Sequence, residues 1–521
     1  MDFSSLYTYL FFATCLFYGH ARVSYEMHML QHSSYMPSRY LRWFKTSHSI
    51  ANRLKEIAFI AMVLAGDLLS LIWLFWMGVA GLVVVSVHRL VKKKKKALVY
   101  TNRASRLYAS AALIVLIISY VLVIFTGLQS LAFLAMYLSP VAAVLAVFVM
   151  TPMDKWITNK YINEAKAILK SRSDLIIIGI TGSYGKTSTK NFLKQILSVK
   201  YSVLMTPGSF NTTLGVVRTI REQLKAHHQV FIVEMGAKKP HDIKEICDLV
   251  NPKIGILTAV GAQHLETFKT VENIRQTKFE LIDSLPQDGM GVLNADYDII
   301  RNTKVNNTPA VYYSIEGEKS GYHADKITFD RSGSRFDLVK NGQKLDAVQT
   351  KILGSFNISN ILACIAVGEK LGLGLDQMKF GIQNLTGAEH RLQLRKAGKI
   401  TILDDAYNSN IKGAEMALKV LGMFEQNRII ITPGIIELGD LSEEINKKLG
   451  NYISEYTDIA IIVGDNPGKF ILEGIKETGK MKEGTYHGVK NLTEARSLLR
   501  EVCRDNDTVL YENDLPDLLE Q

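Results

Sequence analysis

Residues 175–190 read LIIIGITGSYGKTSTK and hold the side chains best suited to chemistry. An apolar run typical of a buried strand leads into a glycine-rich turn and then a helix-compatible segment, which is the layout of a phosphate-binding loop. Gly182 and Gly185 allow a tight turn whose N–H groups converge on an anion. Lys186 could then reach terminal phosphates, and the Thr187 hydroxyl could bind Mg2+.

The match to the strict phosphate-loop pattern is incomplete, because Ile180 stands where that pattern has its first glycine. A glycine-rich turn without a ligand is the alternative interpretation. Lysine and threonine directly after the last glycine, between a strand and a helix, favour nucleotide binding. The residues of this segment predicted to contact the nucleotide are Gly182, Ser183, Gly185, Lys186, Thr187 and Ser188.

The charge of the chain is strongly positive, with a formal net charge of +11 over 521 residues. Much of the excess lies beside apolar segments in the first third, and residues 92–96 are five lysines that directly follow one of them. This is where the cytoplasmic flank of a membrane segment belongs. An RNA-binding patch is the alternative, but no aromatic residues are interleaved with those lysines. We therefore expect membrane lipid as a partner and no nucleic acid.

The four cysteines are far apart in the sequence, at positions 15, 247, 364 and 503. Their spacing fits neither a metal site nor a disulfide framework, so we expect reduced thiols.

Four apolar stretches precede the phosphate loop, at residues 3–18, 57–87, 108–128 and 131–150. Each is close to or above the ~20 residues that a spanning helix needs. Asp2 replaces the basic start of a signal peptide, so cleavage of the first stretch is not expected. The sequence predicts a membrane region of about four transmembrane helices over residues 1–153, in the cytoplasmic membrane.

Orientation follows from the ATP chemistry, which requires the later domains to face the cytoplasm. This places the basic loop at residues 89–106 inside, as the positive-inside rule requires. It also places residues 22–55 outside, although they include Arg39, Arg42 and Lys45. Residues 57–87 could instead form a hairpin of two short segments, and Asp67 within them is either functional or an interfacial helix end.

From residue 154 onwards the pattern alternates between apolar strands and amphipathic helices, which is typical of a mostly parallel sheet covered by helices. The predicted strands are 175–180, 230–234, 254–260 and 291–294, followed by a small antiparallel insert at 310–353. A second α/β unit has predicted strands at 400–403, 428–432, 459–463 and 508–511. We predict a central domain over residues 154–385 and a Rossmann-like C-terminal domain over residues 386–521.

Two further residues end predicted strands of the central domain. Glu234 ends the strand in VFIVEMG, and His264 follows the strand in IGILTAVGAQHLE. The carboxyl ends of parallel strands meet at one edge of a sheet, so both could join Thr187 around a metal ion. A solvent-facing glutamate and a structural histidine are the alternatives.

Several motifs together resemble the Mur ligase family: GITGSYGKTST, EMGA, GAQHLE, TKFEL and GSFNISNILACIAVG, in that order. TPGSFNTTLGV, DDAYNSN and IIELGD are most similar to the MurF type, which joins D-alanyl-D-alanine to a UDP-linked muramoyl tripeptide. The resemblance covers about residues 170–515. It implies an ATP-dependent carboxylate–amine ligase of peptidoglycan precursor synthesis, which forms an acyl phosphate that an amine then attacks.

The resemblance also implies roles for individual residues. Lys186 would contact the transferred phosphate, Thr187 and Glu234 would hold one Mg2+, and His264 would help to hold a second. Lys278 matches the family's carbamylated lysine, with a plain surface lysine as the alternative. Asn357, Asn360, Arg391 and Asp404 would contact the nucleotide, whereas Asn211, Thr212, Tyr407 and Asn408 would line the substrate side.

The chain departs from the MurF type at both ends. Apolar segments replace the domain that grips the UDP portion, and YENDLPDLLEQ replaces a Lys-Gly-Ser-like turn. The carboxylate could therefore belong to a muropeptide, a lipid-linked acceptor or a polymer, with an amino acid or dipeptide as the amine. The alternatives are a poly-amino-acid capsule synthetase, a P-loop ATPase coupled to membrane transport and a catalytically idle scaffold.

Overall fold

The structure is a computed structural model that describes residues 3–45, 47–91, 98–261, 265–316, 321–330, 333–407, 410–436, 438 and 441–513. The chain divides into two compact units, Met1–Lys160 and Tyr161–Gln521. This division falls seven residues beyond the predicted boundary at 153, within a helix. The predicted boundary at 385 lies inside the second unit, and both predicted boundaries stay predictions.

The first unit is helical. Its helices are α1 (Phe3–His32), α2 (Pro37–Phe44), α3 (Ser47–Leu68), α4 (Ile72–Val91), α5 (Asn102–Thr126), α6 (Leu131–Tyr137) and α7 (Ser139–Lys170), the last of which continues into the second unit. Among the described residues, three helices are long and apolar enough to cross a membrane: α4, α5 and α7. The prediction of four such helices differs from this result.

The predicted stretch without such a helix is the first, which α1 contains, and the second stretch differs from the prediction in another way. Residues 57–87 are not one helix, because α3 ends at Leu68 and α4 begins at Ile72. Gly66 and Gly78 let the two helices approach closely: a Cβ on Gly66 would lie 2.4 Å from the backbone N of Phe75. The stretch is therefore a hairpin, as the alternative had it, but its two helices have 22 and 20 residues and are not short segments. The fourth stretch is likewise divided, between α6 and α7.

α1 and α3, which fall outside this apolar class, contribute buried charges that are paired with one another. Arg22 is fully buried and pairs with Glu26 at 3.2 Å and with Glu56 at 3.0 Å. The Tyr40 hydroxyl donates to Glu26 at 2.5 Å, and Arg89 pairs with Glu56. Burying a charge is costly unless it is paired, so these residues stabilise one another inside the helical unit.

The second unit contains a nine-stranded sheet in the order β2-β3-β1-β4-β5-β6-β7-β8-β9. Its strands are β1 (Ile176–Thr181), β2 (Val203–Met205), β3 (Val230–Glu234), β4 (Ile254–Leu257), β5 (Met290–Asn294), β6 (Ala310–Ser314), β7 (Tyr322–Asp330), β8 (Gly333–Lys340) and β9 (Gln343–Thr350). Pairing is parallel from β2 to β7, and β7, β8 and β9 pair antiparallel. The predicted antiparallel insert thus extends the main sheet.

Helices cover both faces of this sheet. They are α8 (Lys186–Leu197), α9 (Thr213–Gln223), α10 (Asp242–Val250), α11 (Leu265–Phe268), α12 (Val271–Asp283), α13 (Asp298–Arg301), α14 (Ser355–Lys370) and α15 (Leu375–Gln383). Ile178 and Ile180 of β1 join one core with Phe192 and Ile361, whereas Ile177 joins the other core. Burial on both faces is why β1 is a continuous apolar run.

A six-stranded sheet follows, in the order β10-β11-β15-β12-β13-β14. It comprises β10 (Gln393–Ala397), β11 (Ile400–Asp405), β12 (Arg428–Thr432), β13 (Ile459–Val463), β14 (Tyr486–Val489) and β15 (Thr508–Glu512), with α16 (Ile411–Leu421), α17 (Ser442–Tyr456), α18 (Gly468–Thr478) and α19 (Leu492–Val502). Among the strands that the structure describes in this sheet, β10 alone is antiparallel to its neighbour. We call this part of the second unit the C-terminal lobe, and the part with the nine-stranded sheet the central lobe.

Candidate functional site

The glycine turn between β1 and α8 has no room for side chains at two positions. A Cβ on Gly182 would lie 2.1 Å from Thr258 Oγ1, and Gly182 has φ +153°. Gly185 has φ +82°, and its Cβ would lie 2.7 Å from Asn360 Oδ1. The Ser183 N–H donates to the Ala259 carbonyl at 2.8 Å. The turn is therefore held against the end of β4 and the start of α14, as an anion-binding loop requires.

Lys186 begins α8 and folds back onto this turn. Its Nζ donates to the Gly182 carbonyl at 2.5 Å and to the Ser183 carbonyl at 3.3 Å. Burial lowers the pKa of Lys186 to about 8, although Glu234 raises it in part. The amine is thus held at the centre of the turn, within electrostatic range of the strand-end carboxylate.

Glu234 ends β3 and is 1 % exposed. The Thr187 hydroxyl lies 3.2 Å from both of its carboxylate oxygens, Lys190 Nζ lies 2.8 Å from Oε2, and Asn211 Nδ2 lies 3.2 Å from Oε1. Burial raises the pKa of Glu234, but the charges of Lys190 and Lys186 more than offset this, so the pKa is below its ordinary value. The carboxylate is therefore ionised and its orientation is fixed.

A cavity of about 450 Å³ lies beside these residues. The central lobe lines it with Ser183, Lys186, Thr187, Ser188, Asn211, Glu234 and Asn360, and the C-terminal lobe with Arg391, Asp405, Tyr407, Lys412 and Glu512, among others. The structure thus brings together predicted residues from both lobes. Such a cleft can hold a nucleotide and a second substrate between two sheets.

Tyr407 is one of the residues through which the two lobes contact each other. Its hydroxyl is hydrogen-bonded to Ser209 of the central lobe, and the Arg391 guanidinium carbon lies 4.2 Å from its ring centroid. Burial lowers the pKa of Arg391, against the opposing influence of Asp405. Arg391 is therefore a partly buried cation that faces the cavity from the C-terminal lobe, where it can stabilise negative charge.

The structure separates the two neighbouring aspartates of β11. Asp404, predicted to contact the nucleotide, accepts from His390 Nδ1 at 2.9 Å and pairs with Arg395 at 3.3 Å, and it does not line the cavity. Asp405 does line it. Successive strand residues point to opposite faces, and the DD pair in the sequence did not show which one faces the cleft. Burial raises the pKa of Asp405 to about 6, while Arg391 lowers it.

The two asparagines of α14 also differ. Asn360 lines the cavity, and its Nδ2 has no hydrogen-bond partner among the described residues. Asn357 is buried, donates through Nδ2 to the Leu353 carbonyl at 2.8 Å, and does not line the cavity. A buried amide donor beside the glycine turn is free to bind a ligand acceptor.

The remaining predicted residues occupy varied positions. Lys278 on α12 is 3 % exposed and does not line the cavity, and burial, with Lys186 as a second cause, holds its pKa well below the ordinary value. Thr212 caps α9 by accepting from the Gly215 N–H at 3.3 Å. His264 and Asn408 lie outside the described residues.

The donor set fits Mg2+, which takes hard oxygen ligands. Thr187 and Glu234 bring a hydroxyl and two carboxylate oxygens together at the mouth of the anion-binding turn. Within the described ranges no group of three His, Cys, Asp or Glu residues is arranged to hold a metal. Bound phosphate oxygens and water would therefore have to complete the coordination, as they commonly do for this ion.

Comparisons with known proteins agree with this geometry. The model of the Mur ligase middle domain matches residues 180–368, and that of the Mur ligase glutamate ligase domain matches residues 390–511. The chain belongs to the Mur ligase family. Mur ligases are ATP-dependent ligases, so this enzyme class and the predicted α/β fold of the second unit are confirmed.

The similar proteins include curated ligases of one type. The UDP-N-acetylmuramoyl-tripeptide–D-alanyl-D-alanine ligase of Bacillus subtilis is 28 % identical over 67 % of this chain and 74 % of its own length. The ligase of the same name from Escherichia coli is 29 % identical over 55 % of this chain and 64 % of its own length. The Thermotoga maritima MurF ligase, solved in complex with ADP, superposes with a TM-score of 0.61 at 23 % identity, covering 68 % of this Mur ligase and 80 % of that chain.

Lys190 and Glu512 are among the residues near the site that were not predicted from the sequence. Lys190 follows Lys186 by four positions, so both lie on one helical face, and this spacing could have suggested a shared site. Glu512 ends β15 beside Asp405, but only the pairing of β15 with β11 brings them together.

We expect Asp405→Asn to reduce ligase activity by roughly tenfold to a hundredfold, the range for losing a charge-assisted interaction. The reason is that Asp405 faces the cavity and counterbalances Arg391. Steady-state ADP release checks this. Asp404→Asn is the matched control, because its contacts are with His390 and Arg395; equal loss in both variants would contradict the assignment.

Proposed function

We propose that this protein is a membrane-anchored, MurF-type ligase that joins a carboxylate of a peptidoglycan precursor to the amine of an amino acid or dipeptide. The observation that carries the proposal is the cluster of Lys186, Thr187 and Glu234 at the glycine turn, with Arg391 facing it from the other lobe. The names of the curated relatives, which are UDP-N-acetylmuramoyl-tripeptide–D-alanyl-D-alanine ligases, support the substrate class.

The residues of the site suit a reaction without a protein nucleophile. Mg-ATP, when bound, supplies the phosphoryl group that converts the carboxylate into an acyl phosphate. Thr187 and Glu234 would hold Mg2+, while Lys186 and Arg391 would neutralise charge on the phosphoryl oxygens. The two lobes would hold the activated carboxyl and the amine in attack geometry while excluding water.

The buried Lys278 amine supports a further role. Burial and the nearby Lys186 charge favour the neutral form of Lys278. A neutral amine can form an N–C bond to CO2 and release a proton to give a carbamate, which places an anionic oxygen ligand where lysine ordinarily carries a positive charge. We include a carbamylated Lys278, held near the phosphoryl-transfer centre, in the proposed function, with a second Mg2+ and His264 as its partners.

The membrane anchor is supported by three long apolar helices, α4, α5 and α7. Five consecutive lysines follow α4 in the sequence, as expected of a cytoplasmic flank. With that end inside, α5 would run outward, α7 would return, and the catalytic lobes would face the cytoplasm.

The membrane proposal extends to α1 and α3, whose buried charges Arg22, Glu26 and Glu56 pair with one another inside the helical unit. Gln31 Nε2 at the end of α1 donates to the Val99 carbonyl at 2.8 Å, so these residues lie at one end of that unit. Asp67 at the end of α3 accepts from the Ser130 N–H at 2.9 Å at the other end. We propose that α1 and α3 also cross, which places the basic residues 39–45 inside and removes the conflict with the positive-inside rule.

Lys186→Ala should abolish ligation, because the charge that neutralises the transferred phosphate is lost. Purified full-length protein with Mg-ATP should release ADP only when both a carboxylate acceptor, such as UDP-muramoyl-tripeptide, and an amine, such as D-alanyl-D-alanine, are present. The variant should remain in the membrane fraction like the parent. ATP turnover that needs neither substrate would overturn the ligase assignment and favour a transport-coupled ATPase.

Lys278→Ala should lose activity and regain part of it with millimolar concentrations of a short-chain carboxylate, which would replace the carbamate oxygens. The measurement is ADP release with and without the added carboxylate. Lys253→Ala, which removes an exposed pair with Asp288, is the control and should respond to neither change. Full activity of Lys278→Ala without the additive would refute the carbamate.

Cysteine labelling tests the proposed orientation in intact cells with a membrane-impermeant maleimide. Leu69→Cys, in the turn between α3 and α4, should be labelled, whereas Ser38→Cys on α2 should react only after permeabilisation. The parent chain gives the background from its native cysteines. Labelling of Ser38→Cys in intact cells would show that α1 and α3 do not cross.

A further inference from the structure

Lys190 is a buried lysine with two partners on different segments. Its side chain is 1 % exposed, its Nζ lies 2.8 Å from Glu234 Oε2, and it donates to the Gly208 carbonyl at 2.6 Å. A buried cation is retained only where its charge is compensated. Lys190 therefore connects the proposed Mg2+ ligand directly to the loop after β2.

That loop, residues 206–212, is attached to Glu234 at two more points. The Glu234 N–H donates to Thr206 Oγ1 at 3.1 Å, and Asn211 Nδ2 donates to Glu234 Oε1 at 3.2 Å. The Asn211 carbonyl accepts from the Gly236 N–H at 2.7 Å. The loop and the carboxylate are thus held as one body, with Lys190 between them.

The outer side of the same loop contacts the C-terminal lobe. Ser209 is hydrogen-bonded to the Tyr407 hydroxyl, and the Tyr407 ring lies against Arg391. An unbroken series of contacts therefore runs from Glu234 through Lys190, Gly208 and Ser209 to Tyr407. It begins at the proposed Mg2+ ligand and ends at a residue through which the two lobes contact each other.

We propose that Lys190 is a positioning residue that couples Mg-nucleotide binding at Glu234 to closure of the C-terminal lobe at Tyr407. The inference rests on the proposed function, because it takes Glu234 as a Mg2+ ligand. A divalent cation on Glu234 competes with the Lys190 ammonium for the same negative charge. The resulting change at Lys190 reaches Gly208 through its second hydrogen bond, and hence the contact between Ser209 and Tyr407.

Coupling of this kind is reciprocal: if nucleotide binding favours the Tyr407 contact, that contact must strengthen nucleotide binding by the same factor. A lysine that only stabilises the fold would change the melting temperature without linking the two sites. The two roles therefore differ in a measurable way, since only coupling makes the effects of distant substitutions non-additive.

The test is a double-mutant cycle on the full chain in detergent, with Mg-ADP affinity measured by calorimetry. Tyr407→Phe removes the hydroxyl that contacts Ser209 and should weaken Mg-ADP binding by about threefold to tenfold, the range for one hydrogen bond. In a Lys190→Met background the same substitution should have no further effect. The inference is overturned if Tyr407→Phe weakens Mg-ADP binding by the same factor in both backgrounds, or if it has no effect in the parent.

Matched variants separate coupling from stability. Lys194 lies one turn further along α8 than Lys190 and is not among the residues that contact Glu234. In a Lys194→Met background, Tyr407→Phe should therefore weaken Mg-ADP binding by the same factor as in the parent. Lys190→Gln also lacks the charge that neutralises Glu234, and it replaces Lys190→Met in the cycle if that variant does not fold. Failure of the parent to bind Mg-ADP would overturn the proposed function itself, whereas binding with equal factors overturns only the role of Lys190.

Discussion

The buried carboxylate of Glu234 is the interaction on which the rest of the site depends. It carries a negative charge at 1 % exposure, which is stable only because Lys190, Thr187 and Asn211 surround it. Thr187 and Lys190 lie on successive turns of α8, and Asn211 lies in the loop after β2. Removing any one would leave a buried charge with fewer partners, at a cost greater than that of an ordinary hydrogen bond.

The register of the parallel sheet makes this convergence possible. β1 lies between β3 and β4, with Ile180 opposite both Glu234 and Ile256. The glycine turn that follows β1 therefore starts level with the carboxylate at the end of β3. Gly182 then passes Thr258 so closely that no side chain could be accommodated. The sheet determines where the charge lies, and the glycines determine how closely a phosphate can approach it.

Sequence patterns predicted these local features well, because each is encoded within a few residues. The apolar strand, the glycine turn and the strand-end Glu234 all follow from such patterns. The positions of β2, β10 and β14 did not, since β2 has three residues and the other two are sheet edges with weak apolar character. The choice between Asp404 and Asp405 needed the face of β11, and the partners of Lys190 come from distant segments.

In the helical unit, composition alone does not show how the polar residues are used. Hydropathy leaves α1 and α3 outside the class of membrane-spanning helices, yet the buried charges Arg22, Glu26 and Glu56 on these helices pair with one another rather than with solvent. Arg22 additionally donates to Ser139 Oγ and the Tyr137 carbonyl, which satisfies backbone at the break between α6 and α7. A helix break inside apolar surroundings needs such donors. The paired charges of these helices therefore contribute to the packing of the helical unit.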